Sequence, residues 1–383
     1  MNDGTIERRD WLAAIALGAT TLGCPLLACA QQRSDDKPLD TGTSAGLSAV
    51  PARWWKDAGE LRIECQLCPN KCRVADRERG TCGVRENRGG KYFTLVHGRT
   101  CSLHVDPIEK KPFFHVLPGK TALSLAAPGC NIQCKFCQNW EISQARPEQV
   151  PLHQSSPNSL VELARQIGSP AIAYTYSEPV VWSEYVFDIA TAARKANVRS
   201  LMVSNGFIEA GAMSDLAQVL SAVKIDLKAM TEKFYHDQCV GKLAPVLDTL
   251  RLLHKKQMWV EIVMLVIPGL NDTEHEAREL AHFVKSDLSA DVPVHFTRFH
   301  PSYRMQNVPS TPVSTLTRLR DVAMEEGLHF VYVGNVSGHP GGNTYCPGCH
   351  KMIVRRMNMV TLENRIVSGR CPDCKANIAG LWS

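Results

Sequence analysis

From Thr121 onward, short β-branched runs alternate with amphipathic segments. The runs predict strands at Thr121–Ala127, Ala171–Tyr176, Arg199–Ser204, Ala222–Leu227, Trp259–Ile267 and Val292–Phe299, with His329–Val333 as a closing strand. Helical periodicity fills the intervals at Ser159–Ile167, Val180–Ala196, Met213–Leu220, Val246–Lys256, Glu274–Leu288 and Val313–Glu326. Every connection is long enough for a helical crossover, so the strands are expected to run parallel in an α/β fold. Six such units are too few for a closed eight-fold barrel, and periodicity does not separate a partial barrel from an open doubly wound sheet.

Polar residues gather where these strands end, the end at which parallel barrels carry their chemistry. Thr175-Tyr176-Ser177-Glu178-Pro179 follows the second strand, Ser204-Asn205-Gly206 the third, Asp226-Leu227-Lys228 the fourth, Pro268-Gly269-Leu270-Asn271-Asp272 the fifth and Arg298-Phe299-His300-Pro301 the sixth. For Asn271-Asp272, helix capping is the expected role. Trp140, Trp182 and Met264 are expected to pack.

Just after the first strand come Cys130, Cys134 and Cys137 in Gly129-Cys130-Asn131-Ile132-Gln133-Cys134-Lys135-Phe136-Cys137, a C-x3-C-x2-C spacing. Three thiolates so placed can hold three irons of a cubic [4Fe-4S] cluster and leave the fourth without a protein ligand. A vacant metal position is a place for chemistry. A zinc knuckle would need a fourth donor that Ser124, Asn131 and Gln138 supply poorly, and a cluster used only to carry electrons would normally close all four positions. A non-catalytic iron–sulfur electron carrier is the alternative from another class.

The chain has 383 residues, 44% of them hydrophobic, enough for one large domain with appendages. A formal charge of +5 without a basic block points to no nucleic-acid partner. The fifteen cysteines fall mostly in close groups, as metal ligands do. Cys65, Cys68, Cys72 and Cys82 suit structural zinc or an auxiliary cluster, with two disulfides as the alternative. The affiliation of Cys101 stays open. The knuckles Cys346-Pro347-Gly348-Cys349 and Cys371-Pro372-Asp373-Cys374 form a zinc-ribbon-like pattern, with Asn377–Trp382 expected to pack on it.

At the start, Glu7-Arg8-Arg9-Asp10-Trp11-Leu12 precedes an uncharged stretch from Trp11 to Ala30. This resembles a twin-arginine-type leader over 1–30, with a lipoprotein box at Leu26-Leu27-Ala28-Cys29 as a second ending. Export or membrane anchoring follows from that reading, and an unprocessed start on a cytoplasmic enzyme is the alternative. Residues 31–60 read as a linker, 61–120 as the Cys-rich segment, 121–335 as the core and 336–383 as the C-terminal module.

The cysteine motif, with Phe136 before its last cysteine, resembles the radical S-adenosylmethionine (SAM) superfamily. Its flanks, Asp106-Pro107-Ile108-Glu109-Lys110-Lys111-Pro112 and Cys137-Gln138-Asn139-Trp140, are more narrowly similar to AmmeMemoRadiSam-system radical SAM enzymes, relatives of the pyruvate formate-lyase activating enzyme. The resemblance implies a partial (β/α)6 TIM-like barrel and a reduced cluster that donates an electron into bound SAM. The products are methionine and a 5′-deoxyadenosyl radical that takes a hydrogen atom from substrate. It further implies that Glu178 meets the SAM ammonium, Lys228 its carboxylate, Ser204 and Asn205 its ribose or carboxylate, and that Phe136 packs near adenine. His300 sits where related enzymes contact SAM. Asp226 either neutralises Lys228 or binds a cation. Implied partners are a low-potential electron donor and a protein substrate or Memo-type neighbour; the resemblance leaves the substrate open, with a glycyl-radical-enzyme activase as the runner-up.

Overall fold

The computed structural model describes residues 46–383, so the predicted leader over 1–30 lies outside the described residues. At its centre is an eight-stranded sheet. β1 (Ser102–Pro107) runs antiparallel to β2 (Thr121–Ala126). Beyond β2, in chain order and all parallel, lie β3 (Ala171–Tyr174), β4 (Arg199–Ser204), β5 (Ala222–Asp226), β6 (Trp259–Val266), β7 (Val294–Arg298) and β8 (Val331–Gly334).

Spatial order equals chain order because a helix makes every parallel step: α1 (Pro157–Gln166), α2 (Ser183–Lys195), α3 (Ala210–Leu216), α4 (Ala244–Lys255), α5 (Glu274–Phe283) and α6 (Val313–Glu325). The ends of these helices follow local chemistry. Ser156 starts α1 by accepting the Ser159 N–H at 3.1 Å, and Thr273 starts α5 by accepting the Glu276 N–H at 3.2 Å. Val180 to Trp182, expected inside the second helix, belong instead to a 3₁₀ turn over Pro179–Trp182, so α2 begins only at Ser183.

The cap position at Thr273 corrects the expectation for Asn271-Asp272. Asn271 is buried and accepts the Ile267 N–H at 2.6 Å while donating to the carbonyls of Lys228 and Leu265 at 2.8 and 2.9 Å. It therefore ties two strand-end loops together rather than capping a helix.

Near the N-terminal ends of the strands the sheet is sealed by Glu261. This buried carboxylate accepts the N–H groups of Phe114 and His115, each at 2.9 Å, and His295 Nε2 lies 2.8 Å away. The C-terminal residues close the same end. Leu381 donates its N–H to the His115 carbonyl at 2.7 Å and accepts the Leu117 N–H at 2.8 Å. Trp382 lies beside the His115 ring, so the tail packs on the sheet's base as well as on its own module.

Residues expected to be linker up to 60 belong, from 46 on, to the fold. Val50–Pro51 pairs with Lys91–Thr94, and Trp55–Asp57 pairs with Ile63–Cys65, which pairs in turn with Arg73–Val74. This N-terminal segment is held on α2 and α3. Arg85 makes two bonds of 2.8 Å to Glu184, both side chains buried, and Trp54 Nε1 donates to Asp215 at 2.8 Å. The C-terminal module is an antiparallel sheet of β9 (Thr344–Tyr345), β10 (Met352–Met357) and β11 (Val360–Asn364). Among the described residues, no helix is long and apolar enough to cross a membrane.

Candidate functional site at the C-terminal ends of the strands

The loop after β2 carries Cys130, Cys134 and Cys137, and it is shaped by Gly129. That residue has φ +101°, and a Cβ on it would lie 2.8 Å from Val84 Cγ1 and 2.9 Å from the Cys82 carbonyl oxygen. The N-terminal Cys-rich segment thus rests directly on the cysteine loop. Asn70 reinforces the contact by donating to the Asn131 carbonyl at 2.7 Å. From the other side, Gln133 and Lys135 donate their N–H groups to the carbonyls of Cys239 and Gln238 at 2.7 and 2.9 Å.

All three cysteines line a cavity of about 400 Å³ at the C-terminal ends of the strands, with Phe136, Glu178, Ser204, Asn205 and Lys228 on the same walls. Glu178 is its most constrained group. Buried, it accepts Ser204 Oγ at 2.7 Å, the Asn205 N–H at 2.8 Å and the Val180 N–H at 3.1 Å. Burial pushes its carboxyl up to about 7 against the pull of those bonds. Asn205 also links Glu178 to the cysteine loop. Its Nδ2 donates to Asn131 Oδ1 at 2.9 Å and stands 3.8 Å from Cys130 Sγ.

Asp226, partly buried between two lysines, holds Lys228 at 3.0 Å and Lys224 in a shorter contact. Burial opposes its charge, but the two ammoniums bring its carboxyl down to about 2. It is thus a neutralising partner. Phe136 is buried against Phe234, ring centroids 5.8 Å apart, with part of its surface in the cavity.

His300 stands apart: it is exposed, hydrogen-bonds Ser310 at 3.0 Å and is off the cavity lining. Trp182 and Met264 are fully buried, whereas Trp140 is 40% exposed and stacks on Tyr303.

Three contributors were missed in the sequence. Lys224 lines the cavity, and its signal was legible: Lys224, Asp226 and Lys228 recur at every second position, which places them on one face of β5 and its extension. Lys111 with Asp106 and Tyr176 forms a second charged group, described below. Cys239 is a lone, buried cysteine brought beside the cysteine loop by the Gln133 N–H, which donates to its carbonyl at 2.7 Å, a contact that crosses too much sequence to be read from spacing. It is absent from the cavity lining.

The outer cysteine sets differ in spacing. Cys346, Cys349, Cys371 and Cys374 bring their sulfurs within 4.8 Å of one another. Tetrahedral coordination of a single ion with bonds of about 2.3 Å requires such an approach. Among the described residues no other group of three or more such ligands meets that limit. In the N-terminal set, Cys65 donates its N–H to the Cys72 carbonyl at 2.9 Å, and Cys72 Sγ accepts the Thr81 N–H at 3.5 Å, so a hairpin and the turn before Cys82 gather the four residues. All three sets are free thiols. Cys101 Sγ donates to the Ala126 carbonyl at 3.5 Å.

Fold and site together describe an α/β protein with thiols, a buried carboxylate and cations converging on one cavity at its strand ends. Residues 125–283 match the radical SAM superfamily model. The chain is 40% identical over 329 residues to the uncharacterized protein MJ0808 of Methanocaldococcus jannaschii, covering 85% of this chain and 98% of that one. It is 21% identical over 213 residues to the pyruvate formate-lyase 1-activating enzyme of Escherichia coli K12, covering 52% of this chain and 87% of that one. Among solved structures, a radical SAM methyltransferase from Sphaerobacter thermophilus aligns with a TM-score of 0.45 and 16% identity, over 58% of this chain and 68% of that one. The chain belongs to the radical SAM superfamily and is an enzyme.

Proposed function

We propose that Cys130, Cys134 and Cys137 would hold three irons of a [4Fe-4S] cluster, leaving the fourth iron free to take SAM in the cavity that Glu178 also lines. The observation that carries this reading is the joint lining of one cavity by the three thiols, Glu178, Asn205 and Lys228. The sulfurs are farther apart than a single tetrahedral ion would draw them, in keeping with thiolates that each bind a different iron. Reduced and bound there, the cluster supplies the electron that splits the SAM sulfonium bond into methionine and a 5′-deoxyadenosyl radical.

The chain's own residues position the nucleoside. Glu178 accepts from the SAM ammonium, Lys228 meets its carboxylate, and Ser204 and Asn205 orient both Glu178 and the ligand. Phe136 offers an apolar edge to adenine. His300, exposed and bonded to Ser310, reaches SAM only if the loop after β7 moves. The linear order of the seven parallel strands β2 to β8, with helical crossovers, supports an incompletely closed (β/α) barrel around this site.

Cys239 is the group that would compete with this reading, since a fourth thiolate on the cluster leaves no iron for SAM. Its absence from the cavity lining argues against that role. Anaerobic reconstitution, dithionite reduction and chromatography test the proposal: wild type and Cys239→Ala form 5′-deoxyadenosine, Cys134→Ala forms none, and Glu178→Ala binds SAM weakly. Product absent from wild type but present in Cys239→Ala would overturn it.

The C-terminal quartet is proposed to hold structural zinc, and Cys65, Cys68, Cys72 and Cys82 a second metal centre against the catalytic loop. Within the superfamily, the Asp106–Pro112 and Cys137–Trp140 flanks support the AmmeMemoRadiSam group, in which a low-potential electron donor and a Memo-type protein would be partners. The leader supports export or anchoring. Similarity to the pyruvate formate-lyase and isethionate sulfite-lyase activating enzymes supports a second reading, a glycyl-radical-enzyme activase whose substrate is a backbone glycine of a partner protein. A glycyl radical signal in a candidate partner after incubation with reduced enzyme and SAM separates the two.

A further inference from the structure

Four lysines, Lys110, Lys111, Lys224 and Lys228, line the cavity, and apart from Glu178, which the proposed function assigns to the SAM ammonium, the carboxylates paired with them are Asp226 and Asp106. Asp226 serves both Lys224 and Lys228, and Asp106 serves both Lys110, at 3.0 Å, and Lys111, at 2.5 Å. Each group is two ammoniums on one carboxylate. The Lys228 surplus is answered by the SAM carboxylate in the function proposed above. The Lys110–Lys111 surplus has no such answer.

Lys111 is 2% exposed, and Lys110, at 45%, stands on the rim of the same cavity. The Lys111 ammonium lies 4.1 Å from the Tyr176 ring centroid, while the Tyr176 hydroxyl donates to Asp106. Tyr176 is held in this position by a left-handed backbone, φ +66°, and by Asn139, which follows the cysteine motif and donates to its carbonyl at 2.9 Å. The local geometry thus presents both lysines along one wall, with Val203, Val263 and Leu265 also lining the cavity.

Burying a surplus cation is costly unless a counter-charge arrives. Burial first of all, and the ammoniums of Lys110 and Lys224 beside it, bring Lys111 down to about 8 despite Asp106. A dianion or monoanion bound between Lys110 and Lys111 would remove that penalty, and its hydrocarbon part would meet the apolar side chains.

We infer that Lys110 and Lys111 form the subsite for an oxyanion of the substrate, a carboxylate or a phosphate, placing an anionic small molecule or an acidic group of a larger one beside the SAM site. This subsite rests on the radical SAM reading above. The test is anaerobic titration of reconstituted, SAM-bound wild-type enzyme with succinate and, separately, with inorganic phosphate, at ionic strength matched with chloride, reading the thermal midpoint. A saturable rise with one of the two identifies the preferred oxyanion. Lys110→Gln and Lys111→Gln are expected to weaken that response at least tenfold, and the exposed-surface control Lys256→Gln to leave it unchanged. If Lys111→Gln does not accumulate as folded protein, Lys110→Gln, on the rim, decides alone. A flat wild-type response to both anions, or a response equal in wild type and Lys110→Gln, overturns the subsite. The SAM-induced change in the cluster spectrum of the wild type is read in parallel. Its absence would overturn the underlying radical SAM reading, whereas its presence with flat anion titrations overturns the subsite alone.

Discussion

Glu178 shows how one side chain can be poised by opposing forces. Three donors favour its ionised form, yet burial is the larger effect and the carboxyl sits at about 7 rather than near 4.5. An acid raised in this way makes the folded state prefer the protonated form. Its contribution to stability is greatest below the unfolded value and is lost as pH rises from 4.5 through about 7. In the function proposed above SAM binding runs the other way, because its ammonium needs the carboxylate. Affinity for SAM is expected to rise about tenfold between roughly pH 6 and 8, as the ionised fraction does. Glu178→Gln should flatten that profile, which equilibrium binding at several pH values would show.

Local segments explain what could be read in the sequence and what could not. The seven parallel strands were legible because a buried parallel strand is a compact run of β-branched and small residues bounded by turns, as at Ala171–Tyr174 and Ala222–Asp226. The cysteine loop was legible from spacing alone. Asn271 was misread because a polar residue before a helix looks like a cap, and only tertiary contacts reveal that it bonds the Lys228 carbonyl. Cys239 and Lys111 reach the site from distant segments, and no local pattern announces such encounters. The loop also carries a sharp prediction. Gly129→Ala places a methyl group against Val84 and the Cys82 carbonyl at a φ that alanine disfavours. The expected cost is about 1–3 kcal/mol, visible as a lower thermal midpoint and a reduced iron content after reconstitution.

The assembled chain divides its labour between the two ends of the sheet. The cavity lies at the C-terminal ends, while Glu261, His295 and the tail close the N-terminal ends. The N-terminal segment is fastened beside the cavity by the buried Arg85–Glu184 pair. Arg85→Met leaves Glu184 buried without its partner and is expected to destabilise the protein by about 3–5 kcal/mol in urea denaturation. In the C-terminal module, Cys371→Ser with Cys374→Ser should remove the zinc proposed for it, read by elemental analysis, while the iron proposed for the cavity cysteines persists.

The hydrogen bonds of Leu381 to His115 and Leu117 have a practical meaning for anyone handling the enzyme. Shortening the polypeptide by its last three residues, Leu381 to Ser383, would pull a stitch from the closed floor, and soluble yield should fall. An affinity tag appended after Ser383 hangs below that floor, leaving the mouth near Lys110 clear for whatever enters.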